Sequence, residues 1–466
     1  IFISSKLTGY SYFCEKVIPM KQLIQKYNVP GPRYTSYPTV PFWDESTYST
    51  ASWIKSLQKN NTSREISLYI HLPFCESLCT FCACNKRITK RHEVELPYIK
   101  ALLKEWEMYL NILEEPPILR EIHLGGGTPT FFSATHLSNL LTTIKTSCDI
   151  PDDVSYSFEG HPNNTTTEHL QTLYNLGFDR VSYGIQDYNT TVQQAIHRIQ
   201  SFETVKHITE KSRQLGYTSI SHDLIYGLPK QSLEDVKKSI EKTTELMPDR
   251  IAFYSYAHVP WAKGNGQRGY SEDDLPSAEE KRQHYEKGKA MLEEKGYVEI
   301  GMDHFALPDD ELAKAYKNQT LHRNFMGYTT TKTDKMIGLG VSAISDSWYG
   351  FSQNHKRLEE YYEHISDGVL PLFRGHILNK TDLQIRRKIV NLMCQFQTDI
   401  SDLEVNTRLK IKHDLSEFAA DDLLSIKHNN ILVYSRGKAF IRNICMAFDL
   451  RLKAKETEAQ RFSMTI

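Results

Sequence analysis

The chain alternates short apolar runs rich in β-branched residues with stretches of helical period. The strand-like runs are SLYIHL (67–72), REIHL (120–124), VSYSFE (154–159), RVSYGI (180–185), SISHDLI (219–225) and RIAFYSYAH (250–258). Periodicity predicts helices over 95–113, 134–147, 166–176, 202–215 and 232–246. Strands and helices that alternate at these intervals predict an α/β fold with βαβ units and a parallel sheet. Such units can form a partial barrel or an open doubly wound sheet, and periodicity leaves both open.

Different patterns flank this alternating region. A short helix is predicted over 21–27, and the Pro and Gly content of the following GPRYTSYPTVPFW predicts an extended arm that wraps rather than packs. From about 372 the pattern becomes mostly helical (DLQIRRKIVNLMCQF, EFAADDLLSI), with a short pair of runs, ILVYS and AFIRNICMAF. We therefore expect an extension and arm over 1–60, an α/β domain over 61–371 and a mostly helical domain over 372–466. Residues 1–19 are assigned no function.

Unusual residues follow the carboxyl ends of the predicted strands. Four cysteines follow the first strand, GGGTPT (125–130) follows the second, and Glu159 ends the third. Gln186 ends the fourth, and Asp223 lies in the fifth. Parallel α/β folds place their ligands at this edge, so we expect the functional site there.

Composition excludes several classes of function. The 56 Lys+Arg and 57 Asp+Glu leave a net charge of −1, so no general basic field attracts nucleic acid or an anionic membrane. No apolar run approaches the roughly 18 residues of a membrane-spanning helix, and the first twenty residues lack the order of a secretory signal. We expect a cytoplasmic monomer that binds neither nucleic acid nor membrane.

The cysteines indicate a metal or cluster site. Of the eight cysteines, Cys75, Cys79, Cys82 and Cys84 lie together in HLPFCESLCTFCACNK. Cytosolic thiols stay reduced and bind soft metals. Cys75, Cys79 and Cys82, spaced C-x3-C-x2-C, can hold three irons of a [4Fe–4S] cube and leave the fourth iron open. A structural zinc site with Cys84 or His71 as the fourth ligand is the alternative.

The cysteine loop and the glycine run together resemble the radical S-adenosylmethionine (SAM) superfamily. Glycine allows a backbone to approach a ligand closely, although a tight turn also explains a glycine run. In that superfamily the open iron binds SAM, and an injected electron cleaves SAM to a 5′-deoxyadenosyl radical. The resemblance implies a partial (β/α)6 barrel over 61–371 as the catalytic domain.

More specific motifs resemble one family of this superfamily, the oxygen-independent coproporphyrinogen III oxidases. They are GPRYTSYPT (31–39), LYIHLPFC (68–75), FCACNK (81–86), LGGGTPT (124–130), YGIQD (183–187), DLIYGLPKQ (223–231), GMDHFALPDDELA (301–313), LHRNFMGYTT (321–330), GLGVSAIS (338–345) and RNICMAFD (442–449). The resemblance implies oxidative decarboxylation of two propionates of coproporphyrinogen III to vinyl groups, which gives protoporphyrinogen IX in heme synthesis. A radical is needed because the propionate β-carbon carries an unactivated C–H bond. A flavodoxin or ferredoxin is the expected electron donor.

The family pattern also implies cofactor contacts, with two SAM molecules per chain. Tyr69, Gly126 and Glu159 are expected on the first SAM. The residues expected around a second SAM or the shared space are Phe81, Gly127, Thr128, Gln186, Arg198, Asp223 and Ala257, with Ile344 nearby. Without the resemblance, Asp223 reads as a turn cap and Arg198 as a surface cation. Met326 stands where some relatives are expected to carry Gln, and its thioether cannot donate a hydrogen bond.

A substrate with four propionates predicts cations near the barrel mouth. Arg33 of the arm and Arg323 of HRNF are the candidates, although Arg33 can equally pin the arm to the barrel. The rival function is a heme chaperone of the same superfamily, which lacks the RYTSYPT arm and differs after the third cysteine. A different radical enzyme, such as a methyltransferase or a heme-degrading relative, is a third reading. The complete arm, ACNK (83–86), GMDHFALPDDELA and HRNF favour the oxidase.

Overall fold

The structure, a computed structural model, describes residues 18–59, 63–260, 267, 269–454 and 462–465. Most of residues 1–19, which were assigned no function, therefore lie outside the described residues. The α-helices are α1 Met20–Tyr27, α2 Thr50–Gln58, α3 Glu95–Leu113, α4 Ala134–Thr146, α5 Thr167–Asn175, α6 Thr190–Ala195, α7 Phe202–Leu215, α8 Leu233–Glu245, α9 Ala278–Glu294, α10 Glu311–Lys317, α11 Leu358–Ser366, α12 Lys380–Gln395, α13 Val405–Ala420, α14 Ile441–Met446 and α15 Leu450–Ala454. Short 3₁₀ helices cover Val40–Phe42, Glu45–Thr47, His92–Val94, Pro129–Phe131, Glu272–Asp274 and Ser435–Phe440.

The strands alternate with these helices through the middle of the chain. They are β1 Glu65–Leu72, β2 Phe74–Cys75, β3 Arg87–Ile88, β4 Ile118–Gly126, β5 Ser155–Gly160, β6 Arg180–Gln186, β7 Ser219–Tyr226, β8 Arg250–Ser255, β9 Val298–Gly301, β10 His304–Ala306, β11 His322–Asn324, β12 Gly327–Thr329, β13 Met336–Leu339, β14 Ile344–Asp346, β15 Gly350–Asn354, β16 Leu372–Ile377, β17 Gln397–Asp399, β18 Leu424–Lys427 and β19 Asn430–Val433.

One large sheet organises the fold. Within the described residues it has twelve strands, in the order β16-β15-β14-β13-β1-β4-β5-β6-β7-β8-β10-β9. The run from β1 to β8 is parallel, with the helices as crossovers, and β9, β10 and β14 to β16 add antiparallel margins. The end strands β9 and β16 do not pair with each other. This arrangement confirms the α/β class and the partial (β/α)6 barrel.

The predicted strands and helices form because burial and capping agree with the pattern. Strand β1 is buried along most of its length, as expected for a parallel strand covered on both faces. The side chains of Ser133, Ser201 and Ser232 accept hydrogen bonds from the first turns of α4, α7 and α8, so these helices begin where the pattern predicts.

The arm packs into the second hydrophobic core rather than wrapping the surface. Tyr34 and Tyr37 are buried there beside residues of α12 and α14. Arg442 donates hydrogen bonds to the carbonyl oxygens of Gly31 and Pro32, which hold the arm in place. The expectation that the arm does not pack was wrong, because its tyrosines supply apolar area that the small carboxyl-terminal core needs.

The sheet extends past both proposed domain boundaries. Trp53 and Leu57 of α2 belong to the barrel core, although they fall in the proposed 1–60 region. Strand β16 begins at Leu372 and pairs with β15, so the first residues of the proposed 372–466 region are part of the main sheet.

The carboxyl-terminal region contains helices α12 to α15 and a small sheet in the order β17-β19-β18. The EFAADDLLSI pattern contributes the end of α13 and the start of β18 rather than one helix. In the ILVYS and AFIRNICMAF pair, the first run contributes to β19, whereas the second is helical. Among the described residues, no helix has the length and apolar content needed to cross a bilayer.

Candidate active site

The cysteine loop leaves the carboxyl end of β1 and folds against the edge of the barrel. Cys79 is buried, Cys75 and Cys82 are partly buried, and Cys84 is exposed. The Thr128 hydroxyl lies 3.4 Å from the Cys75 sulfur, and the Arg198 guanidinium lies 3.6 Å from the Cys79 sulfur. A hydroxyl and a guanidinium therefore lie next to the sulfurs of two predicted cluster ligands.

The thiol pKa values differ along the loop. Burial raises the pKa of Cys75 to about 11, and the Thr128 hydrogen bond acts against this. The hydrogen bond from Cys84 lowers the pKa of Cys82, and the Lys86 ammonium acts in the same direction. Metal binding releases the thiol protons, so loading of this loop should become easier as pH rises.

The donor set fits a cluster better than a single ion. Among the described residues, no three His, Cys, Asp or Glu side chains converge on one point as ligands of one metal ion do. In a [4Fe–4S] cube each cysteine binds a different iron, so the three sulfurs need not converge. Both ring nitrogens of His71 are already engaged, with the Tyr69 hydroxyl at 3.0 Å and the Asn85 carbonyl oxygen at 2.9 Å. This geometry disfavours His71 as a zinc ligand.

The glycine run follows β4 and lies directly against the cysteine loop. Gly126 has φ +112°, and a Cβ there would lie 2.6 Å from the His71 ring. A Cβ at Gly127 would lie 2.6 Å from the Pro73 carbonyl oxygen. The Gly127 N–H donates to Leu72 and the Thr128 N–H to Phe74, at 2.9 and 3.0 Å. Close packing of two loops therefore requires glycine here, whatever ligand the loops hold.

Glu159 ends β5 beside the glycine run. Its carboxylate accepts a hydrogen bond from the Gly126 N–H at 3.3 Å and lies 3.5 Å from His123 Nε2. Burial acts to raise the pKa of Glu159, but the His123 hydrogen bond and the Gly126 N–H outweigh burial and hold it below the usual range. Nearly half of the side chain is exposed, so an ionised carboxylate is available to a ligand.

Arg198 and Asp223 are internal groups rather than surface or capping residues. Arg198 Nη2 donates to the Gly184 carbonyl oxygen at 2.6 Å, and Arg198 Nε is buried with no hydrogen-bond partner in the described part of the chain. Asp223 accepts from Ser182 at 2.8 Å. Burial raises the pKa of Asp223 to about 7, and the nearby Glu159 carboxylate adds to the effect. The surface-cation and turn-cap alternatives are therefore wrong for these two residues.

The predicted residues mostly line one cleft of about 880 Å³. Those on its walls are Phe81, Cys82, Gly126, Gly127, Thr128, Glu159, Gln186, Arg198 and Asp223. Tyr69 lies beside it, in β1, and its ring stacks on that of His123 with centroids 6.1 Å apart. Ala257 and Ile344 do not line this cleft; Ile344 packs against a separate aromatic cluster that includes Trp43.

A second cavity, of about 870 Å³, continues from the cleft into the barrel, and sequence reasoning missed it. The cleft and the cavity share Glu159, Ser182, Asp223 and Tyr254. Polar residues at every second strand position line the cavity: Glu121 and His123, Ser157 and Glu159, Arg180 and Ser182, Ser219, Ser221 and Asp223, and Arg250. In a strand, every second side chain points to the same face, so these polar residues all face the cavity. The alternation of polar and apolar residues was therefore the signal in the sequence that could have predicted the cavity.

The two predicted substrate cations are not among the residues that line the barrel cavity. Arg33 lines a separate pocket with Arg282 and Arg442, is a third exposed, and among the described residues lies 3.4 Å from the Ser255 carbonyl oxygen and 4.0 Å from Asp303. Arg323 is buried over the ring of Tyr328, which does line the cavity, and its Nε and Nη1 atoms have no hydrogen-bond partner among the described residues.

Known proteins similar to this chain share both its sequence and its fold. Oxygen-independent coproporphyrinogen III oxidase of Pseudomonas aeruginosa is 39% identical over 453 residues, which cover 95% of this chain and 98% of the relative. The enzyme of the same name from Escherichia coli is 37% identical over 456 residues, with the same coverage. The chain belongs to the oxygen-independent coproporphyrinogen III oxidase family. The sequence model of the Radical SAM superfamily also matches residues 69–243.

A solved structure agrees with this assignment. Coproporphyrinogen III oxidase from Escherichia coli, described as a Radical SAM enzyme, superposes with a TM-score of 0.86 at 36% identity and covers 90% of this chain and 97% of its own. Family and fold together imply a [4Fe–4S] cluster and SAM. The predicted membership of this enzyme family is confirmed, and the heme-chaperone and methyltransferase readings are set aside.

Proposed function

We propose that this chain converts coproporphyrinogen III to protoporphyrinogen IX by oxidative decarboxylation of two propionates. For each propionate, the radical removes a hydrogen atom, carbon dioxide leaves, and a one-electron acceptor takes up the remaining electron. The observation that carries the proposal is the continuity of the two spaces: a cleft at the cysteine loop opens into a polar barrel cavity. A reactive species generated at the loop would therefore meet a substrate that enters the same barrel.

Cys75, Cys79 and Cys82 are the proposed cluster ligands. A [4Fe–4S] cluster bound there would supply the electron that cleaves SAM and generates the hydrogen-abstracting radical. Arg198 beside Cys79 and Thr128 beside Cys75 would stabilise the thiolates and hold the loop in one geometry. Cys84 is exposed and is proposed not to be a cluster ligand.

The SAM contacts are proposed from the charges that face the cleft. Ionised Glu159, fixed by the Gly126 N–H and His123, is suited to the ammonium or ribose hydroxyls of the first SAM, beside Tyr69. Arg198, with its unpaired Nε, is suited to a carboxylate of the second. The other proposed second-site residues are Phe81, Gly127, Thr128, Gln186, Asp223, Ala257 and Ile344. The positions of Ala257 and Ile344 outside the cleft give these two the least structural support.

Arg33 and Arg323 are the proposed propionate anchors. A buried guanidinium without partners is costly, and a carboxylate would satisfy its free N–H groups by charge-assisted hydrogen bonds. Arg323 has two such buried nitrogens among the described residues, Nε and Nη1, whereas Arg33 is more exposed and lines a separate pocket, so it has less structural support. We further propose a flavodoxin or ferredoxin as electron donor, a monomeric state and a cytoplasmic location.

The proposal is tested by anaerobic reconstitution with iron and sulfide, followed by incubation with SAM, dithionite and coproporphyrinogen III. We expect protoporphyrinogen IX, with the singly decarboxylated harderoporphyrinogen as an intermediate. Cys79→Ser protein is the control and should form neither. A reconstituted chain that cleaves SAM but never forms either porphyrin would overturn the proposal.

A further inference from the structure

A short basic segment lies directly outside the cysteine loop. Residues 86–91 read KRITKR, with four cations and no acidic residue, in a chain whose net charge is −1. The Lys86 ammonium turns inward and donates to the carbonyl oxygens of Cys82 and Cys84 at 2.9 and 3.4 Å. Arg87, Lys90 and Arg91 instead remain exposed to solvent. Three positive charges therefore project from the outer side of the loop.

Strand pairing places this segment one strand away from a proposed cluster ligand. β2 and β3 run parallel, with Ile88 paired to Cys75, and the Thr89 N–H donates to the Cys75 carbonyl oxygen at 2.9 Å. Neighbouring strands lie about 4.8 Å apart. Because Arg87, Lys90 and Arg91 are exposed, a protein can contact this segment next to the strand that carries Cys75.

Exposed apolar side chains accompany the charges. Ile88 is 41% exposed, and Leu78, between Cys75 and Cys79, is 40% exposed. We name Leu78, Arg87, Ile88, Lys90 and Arg91 the donor face. Single exposed aliphatic side chains are ordinary on protein surfaces, so the three charges define this surface and Leu78 and Ile88 supply additional apolar area.

Acidic residues border the donor face without cancelling it. Arg87 lies 3.5 Å from Glu359, and Glu76 already faces His92 at 3.7 Å. Ion pairs this exposed are worth little and can exchange partners. Lys90 and Arg91 have no acidic partner within ion-pair distance among the described residues.

We propose that the donor face is the docking surface for an acidic one-electron carrier protein, a flavin or iron–sulfur protein whose negative rim complements Arg87, Lys90 and Arg91. This inference rests on the proposed function, which requires an electron at the cysteine loop. Opposite charge steers such a carrier to the loop, while Leu78 and Ile88 form the apolar centre of a small, transient contact. The bound carrier would then be separated from the Cys75 strand by β3 and its side chains.

The test is the triple variant Arg87→Glu, Lys90→Glu, Arg91→Glu. Its matched control is Lys238→Glu, Lys287→Glu, Lys295→Glu, which reverses three charges on or next to α8 and α9, several strands away from β1. Both proteins and the parent chain are reconstituted and mixed with reduced flavodoxin as the probe, and bleaching of the cluster absorbance is followed by stopped flow. We expect the donor-face variant to be reduced about tenfold or more slowly at low ionic strength, and to lose most of its salt dependence. The control should match the parent.

Reduction by dithionite shows whether the variant has lost carrier docking or has a damaged cluster site. The donor-face variant should keep its iron content and its dithionite-driven bleaching, because a small reductant needs no docking surface. Equal losses with dithionite would assign these residues to support of the loop and overturn the proposal. Parent-like rates with flavodoxin would overturn it as well. If flavodoxin reduces the parent chain but no protoporphyrinogen forms, the proposed function fails while the docking surface stands.

Discussion

Replacing Arg323 by Met should weaken substrate binding with little change in the free energy of unfolding. Arg323 is 7% exposed, and its Nε and Nη1 atoms are buried without partners. The guanidinium makes a cation–π contact with the ring of Tyr328, whose centroid lies 4.5 Å from the guanidinium carbon. Met preserves most of the apolar stem and removes the charge. Among the described residues, two nitrogens of this buried guanidinium are therefore left without a hydrogen-bond partner.

The expected magnitude follows from these contacts. An unsatisfied buried donor costs about 1–3 kcal/mol, and losing the cation–π contact with Tyr328 costs about 1–2 kcal/mol. The free energy of unfolding of Arg323→Met should therefore lie between about 1 kcal/mol below and about 2 kcal/mol above that of the parent. Loss of a charge-assisted contact to a substrate carboxylate should weaken coproporphyrinogen III binding by about 1.5–3 kcal/mol, which is roughly ten- to a hundredfold.

Arg386 supplies the matched control. It is similarly buried, but it pairs with Asp346 and donates to the Trp348 carbonyl oxygen at 2.8 Å. Arg386→Met leaves Asp346 buried and unpaired, which should lower the free energy of unfolding by about 3–5 kcal/mol. Urea denaturation followed by circular dichroism compares the variants, and anaerobic substrate titration gives the affinities. Arg323→Met that is as destabilised as Arg386→Met, or that binds substrate like the parent, would refute the reasoning.

Three further predictions test the cofactor sites. Cys84→Ser should keep the reconstituted iron, whereas Ser at Cys75, Cys79 or Cys82 should abolish it; iron analysis decides, and an iron-free Cys84→Ser protein would contradict the ligand set. Equilibrium binding of SAM to reconstituted protein should approach two per chain, and a value of one that Met326→Gln leaves unchanged would remove the second site. Because burial raises the pKa of Asp223 from 3.8 to about 7, the folded chain holds a proton that the unfolded chain releases, so the stability that Asp223 contributes is complete below about pH 4 and is lost as pH rises through 7. The stability of Asp223→Asn protein relative to the parent should thus rise by at most about 1.4 kcal/mol per pH unit over that range, and a flat difference would contradict the raised pKa.

The sequence predicts the parallel half of the fold well because its strands are long and buried. β1 and β4 to β8 are six to nine residues long and mostly keep apolar residues at every second position, and the helices between them have caps that the sequence displays. β13 to β16 escaped prediction because they are three to six residues long and pair through contacts distant in sequence. Tyr34 and Tyr37 are buried against a core formed by carboxyl-terminal residues, so the local sequence around the two tyrosines could not predict their burial.

The site was predicted in part, for chemical reasons. Cysteine spacing and glycine runs are local, so Cys75, Cys79, Cys82, Gly126 and Gly127 could be found directly. The barrel cavity could not be predicted from a local motif, because its residues, such as Glu121 and Arg180, come from different strands and meet only when the sheet curves. The polar residues at every second position of otherwise buried strands were the pattern that indicated a polar cavity.

Carbon dioxide release measured together with porphyrin formation tests the central claim most directly. Coproporphyrinogen III labelled in its propionate carboxyl carbons is incubated anaerobically with the reconstituted chain, SAM and dithionite. The account predicts two labelled carbon dioxide molecules for each protoporphyrinogen IX, with harderoporphyrinogen appearing after the first. Cleavage of SAM with no labelled carbon dioxide and no vinyl product, in protein with a full complement of iron, would contradict it.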